Sequence, residues 1–491
     1  MIITMNKTRT RFAPSPTGYM HIGNLRTALF EFLIAKHEGG DFLLRIEDTD
    51  QERKVEGAVD VIYKTLKECG LNWDEGPDIG GDFGPYVQSE RLPMYKGYAE
   101  DLIKLGGAHY CFCSEEEIEA QRKEAESLGI SFKFNDPCKH LSAEEVQAKL
   151  DAGEPYVIRQ TIKDVGETYF DDEVYGRIEV DGDVLDEQIL IKSDGYPTYN
   201  FANIIDDHQM QISHVVRGNE YLSSTPKYNL IYDAYGWQRP TYVHVPPVMK
   251  DEHHKLSKRN GDASFQDLVA KGYLPEAIMN YIALLGWAPE TEQEIYTLDE
   301  LIKVFNIHRI SKSPAIFDID KLTWMNGVYL RNMDEETYYE TVRPYLEKAV
   351  HRPYNLKEIA KIIQPRIDIL NQIEESVDFF DTLVDYDLEM YRHKKMKTTP
   401  EVALKALKAS KQTLEAFDQW DSMDALHECL LALPKELEMK NGQVLWPIRT
   451  AVSGKQFTPG GAIEIAFILG KDETLRRIQV GIDRLSEIVE E

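Results

Sequence analysis

The chain has 491 residues, of which 42% are hydrophobic and 29% charged, a globular composition that allows about three to five structural units. It contains no apolar run near the about 18 residues of a membrane span and no secretory signal at its start, so we expect no membrane association and a cytoplasmic location. The net charge of −28 argues against general nucleic-acid binding and leaves room only for a local positive face.

The first hundred residues alternate between strand and helix. Residues 8–13 and 42–46 have the pattern of buried strands, and residues 22–36 that of a helix with apolar residues at helical spacing. A second helix over residues 58–69 stops at Gly70. This order is a βαβ unit and predicts a parallel sheet.

The pattern changes near residue 109 and returns near residue 193. Between them lie an acidic helix (115–127) and short alternating runs (157–162). The later segment has strands at 214–217 and 241–245 around a helix that begins at Pro226. From residue 266 the signals are mostly helical, and from 326 almost wholly so, as at 401–417 and 462–470.

The predicted fold is an α/β Rossmann-like parallel-sheet catalytic domain with an α+β insertion, followed by all-α C-terminal domains. The predicted boundaries are residues 1–108 and 193–265 for the catalytic domain, 109–192 for the insertion, 266–325 for a connecting domain and 326–491 for the helical domains.

The loop over residues 14–24 lies between a strand and a helix start. A helix start offers free backbone N–H groups and a positive dipole end to a phosphate. Gly18 and Gly23 permit close approach of a ligand, and His21 can donate a hydrogen bond to a phosphate oxygen. Taken alone, the loop also fits a proline-rich turn with a capping histidine.

The second loop is Lys255-Leu256-Ser257-Lys258-Arg259-Asn260-Gly261. Its two lysines and the hydroxyl of Ser257 can contact a triphosphate. As point charges, the lysines can stabilise the negative charge that shifts among the phosphates in the transition state. Taken alone, it also fits a solvated basic loop.

In this order the two loops resemble the paired His-Ile-Gly-His and Lys-Met-Ser-Lys-Ser motifs of class I aminoacyl-tRNA synthetases. Asn24 replaces the second histidine, which leaves open how the adenosine end is held, while Leu256 and Arg259 replace the methionine and the last serine. The segments at 11–18, 45–50 and 194–199 look like the glutamyl and glutaminyl branch of that class.

The C-terminal half narrows the resemblance further. The segments at 321–327 and 446–451, together with the helical pattern, look like bacterial-type glutamyl-tRNA synthetases. That group binds the anticodon with helical domains. The resemblance therefore implies that residues 109–192 bind the acceptor stem, 266–325 contact the stem and 326–491 bind the anticodon.

A site for glutamate must hold two carboxylates and one ammonium. Arginine supplies bidentate carboxylate recognition, and Arg11 and Arg217 both lie at strand ends that face the expected cleft. The resemblance implies that Arg11 grips the side-chain carboxylate, Arg217 the α-carboxylate and Glu47 the ammonium. The expected glutamate-binding set is Arg11, Ala13, Ser15, Glu47, Tyr199, Asn203 and Arg217.

The expected reaction joins glutamate to tRNA through a glutamyl-adenylate, with ATP as substrate and Mg²⁺ on its phosphates. We expect catalysis by His21, Lys255 and Lys258. The expected ATP-binding set is Gly18, His21, Gly23, Asn24, Glu220, Tyr221, Lys255, Ser257 and Lys258.

Three of the five cysteines lie close together, in Cys111-Phe112-Cys113 and Cys138-Lys139-His140. Three thiols and one imidazole match a closed structural zinc site, and the spacing resembles the zinc element of some bacterial glutamyl-tRNA synthetases. The sequence thus predicts one structural Zn²⁺ on Cys111, Cys113, Cys138 and His140. Free buried thiols beside a chance histidine are the alternative.

Gln364 occupies a place where some glutamyl enzymes carry an arginine that rejects glutamine tRNA. We therefore expect tRNA(Glu) as a partner and hypothesise that tRNA(Gln) is a second one, with Gln364 in the anticodon-binding set. We expect a monomer.

Two rival functions are a small-molecule adenylyltransferase and a non-catalytic tRNA-binding paralogue. The long helical half argues against the first, and the retained motifs argue against the second.

Overall fold

The computed structural model describes residues 7–49, 55–163, 166–256 and 264–489. These residues form two units, Met1–Val269 with Pro275–Asp318 and Ala270–Leu274 with Ile319–Glu491. The finer domain boundaries predicted from the sequence stay predictions.

The strands of the described residues all lie in the first unit. In chain order they are β1 (Arg9–Phe12), β2 (Asp41–Leu44), β3 (Ala108–Cys111), β4 (Val157–Gln160), β5 (Glu167–Asp172), β6 (Gly176–Asp181), β7 (Ile189–Ile191), β8 (His214–Gly218), β9 (Thr241–Val245), β10 (Val248–Met249) and β11 (Ala315–Ile316).

The α-helices that end before residue 305 alternate with these strands along the chain. They are α1 (Ile22–His37), α2 (Ala58–Glu68), α3 (Leu92–Lys104), α4 (Glu115–Ser127), α5 (Ala143–Asp151), α6 (Tyr199–Gln209), α7 (Thr225–Tyr235), α8 (Phe265–Ala270), α9 (Pro275–Ala283) and α10 (Leu298–Val304).

The centre of the first unit is parallel, as predicted. Strand β1 pairs with β2 and strand β8 with β9, both in parallel. The backbone N–H of Ser213 donates to the carbonyl of Arg9 at 2.9 Å and joins the two pairs. Parallel strands point their carboxyl ends to one edge, where ligands bind in open α/β sheets, so this edge is where the site is expected.

The strands of the predicted insertion belong to two different sheets. Strands β3, β4 and β7 form an antiparallel sheet. The β5–β6 hairpin instead joins the central sheet, because Asp172 at the end of β5 pairs in parallel with Tyr242 of β9. The α+β character is as predicted, but the hairpin extends the catalytic sheet.

The second unit is helical, in agreement with the prediction. Its remaining helices are α11 (Ile319–Asn332), α12 (Glu335–Ala349), α13 (Leu356–Ile363), α14 (Gln372–Val377), α15 (Pro400–Ala416), α16 (Met423–Glu436), α17 (Asn441–Ser453) and α18 (Ala462–Val489). Helix α18 is interrupted at Gly470, whose φ of 74° is left-handed and suits glycine. None of the described helices is both long and apolar enough to cross a bilayer.

The buried side chain of Arg477 in α18 ties three segments of this unit together. Its Nη1 donates to the carbonyls of Phe379 and Val452, each at 2.7 Å, and its Nη2 to that of Phe380 at 3.2 Å. Its Nε donates to Glu473 Oε1 at 2.7 Å. A buried cation is tolerated only when it is paired and hydrogen-bonded in this way.

Replacing Arg477 should destabilise the second unit. We expect Arg477→Met to lower the free energy of opening of the α17 and α18 amides by about 3 kcal/mol, since it leaves three buried carbonyls without their donor. Hydrogen exchange measures this quantity directly. Arg476→Met is the matched control, because Arg476 binds the same Glu473 from a side chain 52% exposed; equal protection loss in both variants would contradict the prediction.

Candidate active site and metal cluster

The two arginines predicted to bind carboxylates lie at the expected edge of the sheet. Arg11 is the third residue of β1 and Arg217 the fourth residue of β8. Both side chains are buried. Arg11 is hydrogen-bonded to carboxylates and Arg217 to neutral groups, and this difference affects which ligands each can bind.

Arg11 belongs to a buried ion network. Its Nε and Nη2 donate to the two oxygens of Asp207 at 2.8 and 3.1 Å, and its Nη1 to Glu31 at 3.3 Å. Arg45 donates to the same Asp207 at 2.8 Å. Although burial opposes it, Arg11 and Arg45 lower the pKa of Asp207. A guanidinium has further N–H groups beyond those three bonds, so Arg11 can still receive a carboxylate.

Arg217 is held by neutral groups. Its Nε donates to His244 Nε2 at 3.1 Å and its Nη2 to Thr225 Oγ1 at 2.7 Å. Three tyrosine rings surround the guanidinium, with centroids 4.8 to 5.5 Å from its central carbon; they are Tyr221, Tyr228 and Tyr242. Among the described residues no carboxylate hydrogen-bonds to this cation, which leaves its charge for an anionic ligand.

The other predicted glutamate ligands differ in how clearly they face this site. Tyr199 begins α6, and its ring lies 5.6 Å from that of Tyr221, one of the rings around Arg217. Arg45 binds only one oxygen of Glu47. The buried Asn203 Nδ2 has no hydrogen-bond partner in the described part of the chain, as expected of a donor kept for a ligand.

Ala13 and Ser15 lie in the loop after β1, Ala13 half-buried and Ser15 exposed. This loop approaches the residues after β2, because the N–H of Glu47 donates to the carbonyl of Pro14 at 3.1 Å. The loop is therefore beside Glu47, and the roles of Ala13 and Ser15 in glutamate binding stay predictions.

His21 caps helix α1 and also faces the second loop. Its Nδ1 accepts the N–H of Gly23 at 3.0 Å, and its Nε2 lies 3.0 Å from the carbonyl oxygen of Leu256. Since Nδ1 accepts, the proton is on Nε2, which donates to Leu256. A Cβ on Gly23 would lie 3.2 Å from His21 Nδ1, so glycine allows this close approach.

The remaining predicted ATP ligands lie in several segments, and two of them fall outside the described residues. Gly18 has a φ of 108°, which favours glycine, while Asn24, Glu220 and Lys255 are exposed. Tyr221 lies closer to the amino-acid site, with its ring 5.6 Å from that of Tyr199. The predicted Ser257 and Lys258 fall outside the described residues.

A cluster of metal-binding side chains forms in the insertion. Ligand atoms of Cys111, Cys113, Cys138 and Asp136 all lie within 4.8 Å of one another. The sulfurs of Cys113 and Cys138 are 3.6 Å apart, too far for a disulfide and close to the about 3.8 Å between two thiolates on one tetrahedral zinc. This donor set fits a four-coordinate structural metal.

The structure places Asp136, and not the predicted His140, in this cluster. Asp136 Oδ1 lies 3.8 Å from Cys113 Sγ and accepts the N–H of Cys138 at 2.9 Å. Cys138 and His140 share a 3₁₀ turn, Pro137–His140. With about three residues per turn, residues two apart point to different sides, so Cys138 is buried while His140 is exposed.

Gln364 follows helix α13 in the second unit. Its Nε2 donates to the carbonyls of Leu330 and Met333 at 3.1 and 2.9 Å, so the amide donors serve the end of helix α11. In the basic segment after residue 391, Arg392 pairs with Glu389 at 3.0 Å, and Lys411 in α15 pairs with Glu415 at 2.7 Å. Residues 392–411 are rich in lysine, which fits either a solvated helical face or an RNA contact, and these two ion pairs do not decide between them.

Sequence reasoning missed the residues that hold the predicted ligands. Asp207 and Glu31 bind Arg11, while Thr225 and His244 bind Arg217. The adjacent Asp206 and Asp207 interrupt an apolar helix, which was a signal for buried charge, but nothing in one sequence indicates their partners. Asp136 could have been found as an acid two residues before Cys138.

Comparisons with known proteins match most of the chain. A family model for the catalytic domain of class I tRNA synthetases (E and Q) matches residues 7–324, and a model for an anticodon binding domain matches residues 337–482. A glutamate–tRNA ligase of Clostridium botulinum is 60% identical over 98% of this chain and 99% of its own. One of Clostridium tetani is 58% identical over 98% of each.

Solved structures give the same picture. The crystal structure of a glutamate tRNA ligase from Elizabethkingia meningosepticum, in complex with its amino acid, superposes with a TM-score of 0.89 at 34% identity. The alignment covers 98% of this chain and 100% of that one.

Proposed function

The chain belongs to the glutamate–tRNA ligases of the class I tRNA synthetases, and on that premise we propose how its residues carry out the ligation. The α-carboxylate of glutamate attacks the α-phosphate of ATP, with Mg²⁺ on the phosphates, and pyrophosphate leaves. The terminal ribose hydroxyl of tRNA then attacks the carbonyl of glutamyl-adenylate, and AMP leaves. No protein nucleophile is needed, because the mixed anhydride is already activated.

The observation that carries this proposal is that Arg217, Arg11 and Glu47 are all buried at the carboxyl edge of the parallel strands. Two cations and one carboxylate complement the two carboxylates and one ammonium of glutamate. Arg217, which no described carboxylate neutralises, is the stronger anion site. Which arginine takes which carboxylate stays open, since Arg11 already binds Asp207 and Glu31.

The phosphates belong at the start of α1. The N–H groups at the start of a helix attract an anion, and His21 stands beside them as the N-cap. Its Nε2–H donates to the carbonyl of Leu256. ATP would take this hydrogen bond from the loop that leads to Ser257 and Lys258, and Lys255 and Lys258 would balance the charge that develops on the phosphates.

Arg217→Lys tests the amino-acid site. We expect the KM for glutamate in tRNA-dependent ATP–pyrophosphate exchange to rise roughly 10- to 100-fold, because a lysine cannot form the bidentate pair. The KM for ATP should stay near the wild-type value. Arg239→Lys is the control, since Arg239 forms a partly exposed ion pair with Asp233. An unchanged glutamate KM would remove Arg217 from the site, and no exchange with glutamate in the wild type would sink the whole proposal.

We further propose that the cysteine cluster binds one structural zinc ion. When bound, zinc would cross-link the segment after β3 to the Pro137–His140 turn. Support comes from the donor set and the 3.6 Å sulfur separation. Two neighbours orient the carboxylate of Asp136, because its Oδ2 lies 3.0 Å from His109 Nε2 and 3.3 Å from Arg159 Nε. Metal ligands are usually held by such surrounding groups.

Metal analysis distinguishes the two candidates for the fourth ligand. Protein purified without chelator should hold one zinc per chain, and Cys138→Ser should lose it. Asp136→Asn should weaken zinc retention against a competing chelator about 10-fold or more, whereas His140→Gln should retain zinc like the wild type. The opposite ranking would restore His140 as the ligand, and a wild-type content far below one would refute the zinc site.

We also propose that the enzyme charges tRNA(Gln) as well as tRNA(Glu). Gln364 is neutral, and its amide donors are bound to Leu330 and Met333, so it can present neither a positive charge nor a free donor to an anticodon. An arginine at this place would present both.

Charging of purified tRNA(Gln) with glutamate tests this specificity. We expect the wild type to glutamylate both tRNAs and Gln364→Arg to lose at least about tenfold in kcat/KM for tRNA(Gln), a discrimination of about 1.4 kcal/mol. Charging of tRNA(Glu) by the same variant is the internal control. No glutamylation of tRNA(Gln) by the wild type would refute the proposal.

A further inference from the structure

A directed chain of hydrogen bonds leads from Arg217 into the insertion. Arg217 and His244 are direct neighbours in the register of β8 and β9. The Arg217 Nε–H lies 3.1 Å from His244 Nε2, and His244 Nδ1 lies 2.7 Å from Asp172 Oδ2. Asp172 ends β5, so residues from three strands contribute to the chain.

The order of donors and acceptors in this chain is fixed. A guanidinium N–H can only donate, so His244 Nε2 must carry the lone pair and Nδ1 the proton. Nδ1–H then donates to Asp172. Which ring nitrogen of a histidine carries the proton is set by the partner of the other nitrogen, and here Asp172 selects the tautomer that can accept from Arg217.

Asp172 is itself held rigidly. Its Oδ1 accepts the N–H groups of Val174 and Tyr175 at 3.0 and 2.8 Å, and its Oδ2 accepts both the backbone N–H and Nδ1–H of His244. Neither Asp172 nor His244 has an exposed side chain. These bonds orient a carboxylate that has no room to rotate.

The groups that face His244 favour the neutral ring. Arg217 and Asp172 lie at its two nitrogens, Thr225 Oγ1 is 3.3 Å from Nε2, and the rings of Phe170 and Tyr242 pack at 6.2 and 6.0 Å. Burial lowers the pKa of His244 despite Asp172, with Arg217 acting in the same direction and Glu220 against it. A neutral ring is the form that accepts from Arg217.

We propose that Asp172 and His244 are positioning residues, which orient the guanidinium of Arg217 for a carboxylate of glutamate. Neither touches the substrate; Asp172 fixes the His244 tautomer, and His244 Nε2 fixes the angle of the Arg217 plane about Nε. Thr225 holds Nη2, so the guanidinium plane is fixed at two of its nitrogens and the N–H groups of Nη1 remain for a ligand. The inference rests on the proposed role of Arg217 in glutamate binding.

Steady-state kinetics of the full enzyme with saturating tRNA tests the inference. We expect Asp172→Asn and His244→Leu to raise the KM for glutamate about 10-fold, because small misplacements of a binding group are costly, with the KM for ATP within about twofold of wild type. Asn at 172 permits the wrong tautomer. His244→Gln, which retains an acceptor, should recover most of the loss.

The controls separate positioning from structural support. Asp171→Asn is matched, since Asp171 precedes Asp172 on β5 but forms an exposed ion pair with Arg177; it should leave both constants unchanged. Isotope-labelled wild-type enzyme should show a proton resonance for the Nδ1–H of His244, which is assigned by its loss in His244→Gln. In Asp172→Asn this resonance should be replaced by one from a proton on Nε2.

Each outcome supports or overturns the inference. A raised glutamate KM in Arg217→Lys together with wild-type values in Asp172→Asn and His244→Leu would overturn it and leave the proposed function intact. A parallel loss in the constants for glutamate, ATP and tRNA would show a merely structural role and also overturn it. An unchanged KM in Arg217→Lys would overturn both. If His244→Leu does not fold, the nearly isosteric Asp172→Asn decides.

Discussion

The sharing of one buried carboxylate by two arginines is the constraint on which the amino-acid site depends. Asp207 on α6 binds Arg11 of β1 and also Arg45, which follows β2 and has no exposed side-chain surface. Charges in such surroundings are tolerated only when they are paired, and removing one partner costs about 3–5 kcal/mol. Two strands and a helix are therefore confined to one arrangement. The Glu47 carboxylate, which Arg45 binds, takes its position from the same network.

The contrast between Arg11 and Arg217 follows from this constraint. Arg11 is neutralised by Asp207 and Glu31, so much of its charge is used within the protein. Arg217 has a hydroxyl, an imidazole and tyrosine rings around it, which orient the cation although it donates no hydrogen bond to a described carboxylate. A preorganised cation without a counter-charge binds an anion strongly, because little orientation must be lost on binding. Burial raises the pKa of Glu47, and an ammonium group beside it would stabilise its charged form.

Much of the fold and part of the site were predictable from the sequence, for local reasons. The periodicity of apolar residues gave the βαβ order, and the predicted bounds of α4 and β9 coincide with those observed. Parallel strands bring their ends together, which is why Arg11 and Arg217 could be assigned to one edge. The difference at His140 was also local: spacing suggested a fourth ligand, but the 3₁₀ turn directs Cys138 inward and His140 outward. Asp136 caps the start of this turn, and that role brings its carboxylate to the thiols.

What the sequence could not give are pairings between distant segments. Strand β5 alternates exposed and buried residues, so Asp171 faces solvent and Asp172 the interior, but only the pairing of β5 with β9 brings Asp172 to His244. The bond has a consequence for the hairpin. Moving β5 away from β9 would leave the Asp172 carboxylate and the His244 ring buried without partners, at a cost of several kcal/mol. The β5–β6 hairpin therefore behaves as part of the catalytic sheet, and any displacement of it must alter the orientation of Arg217.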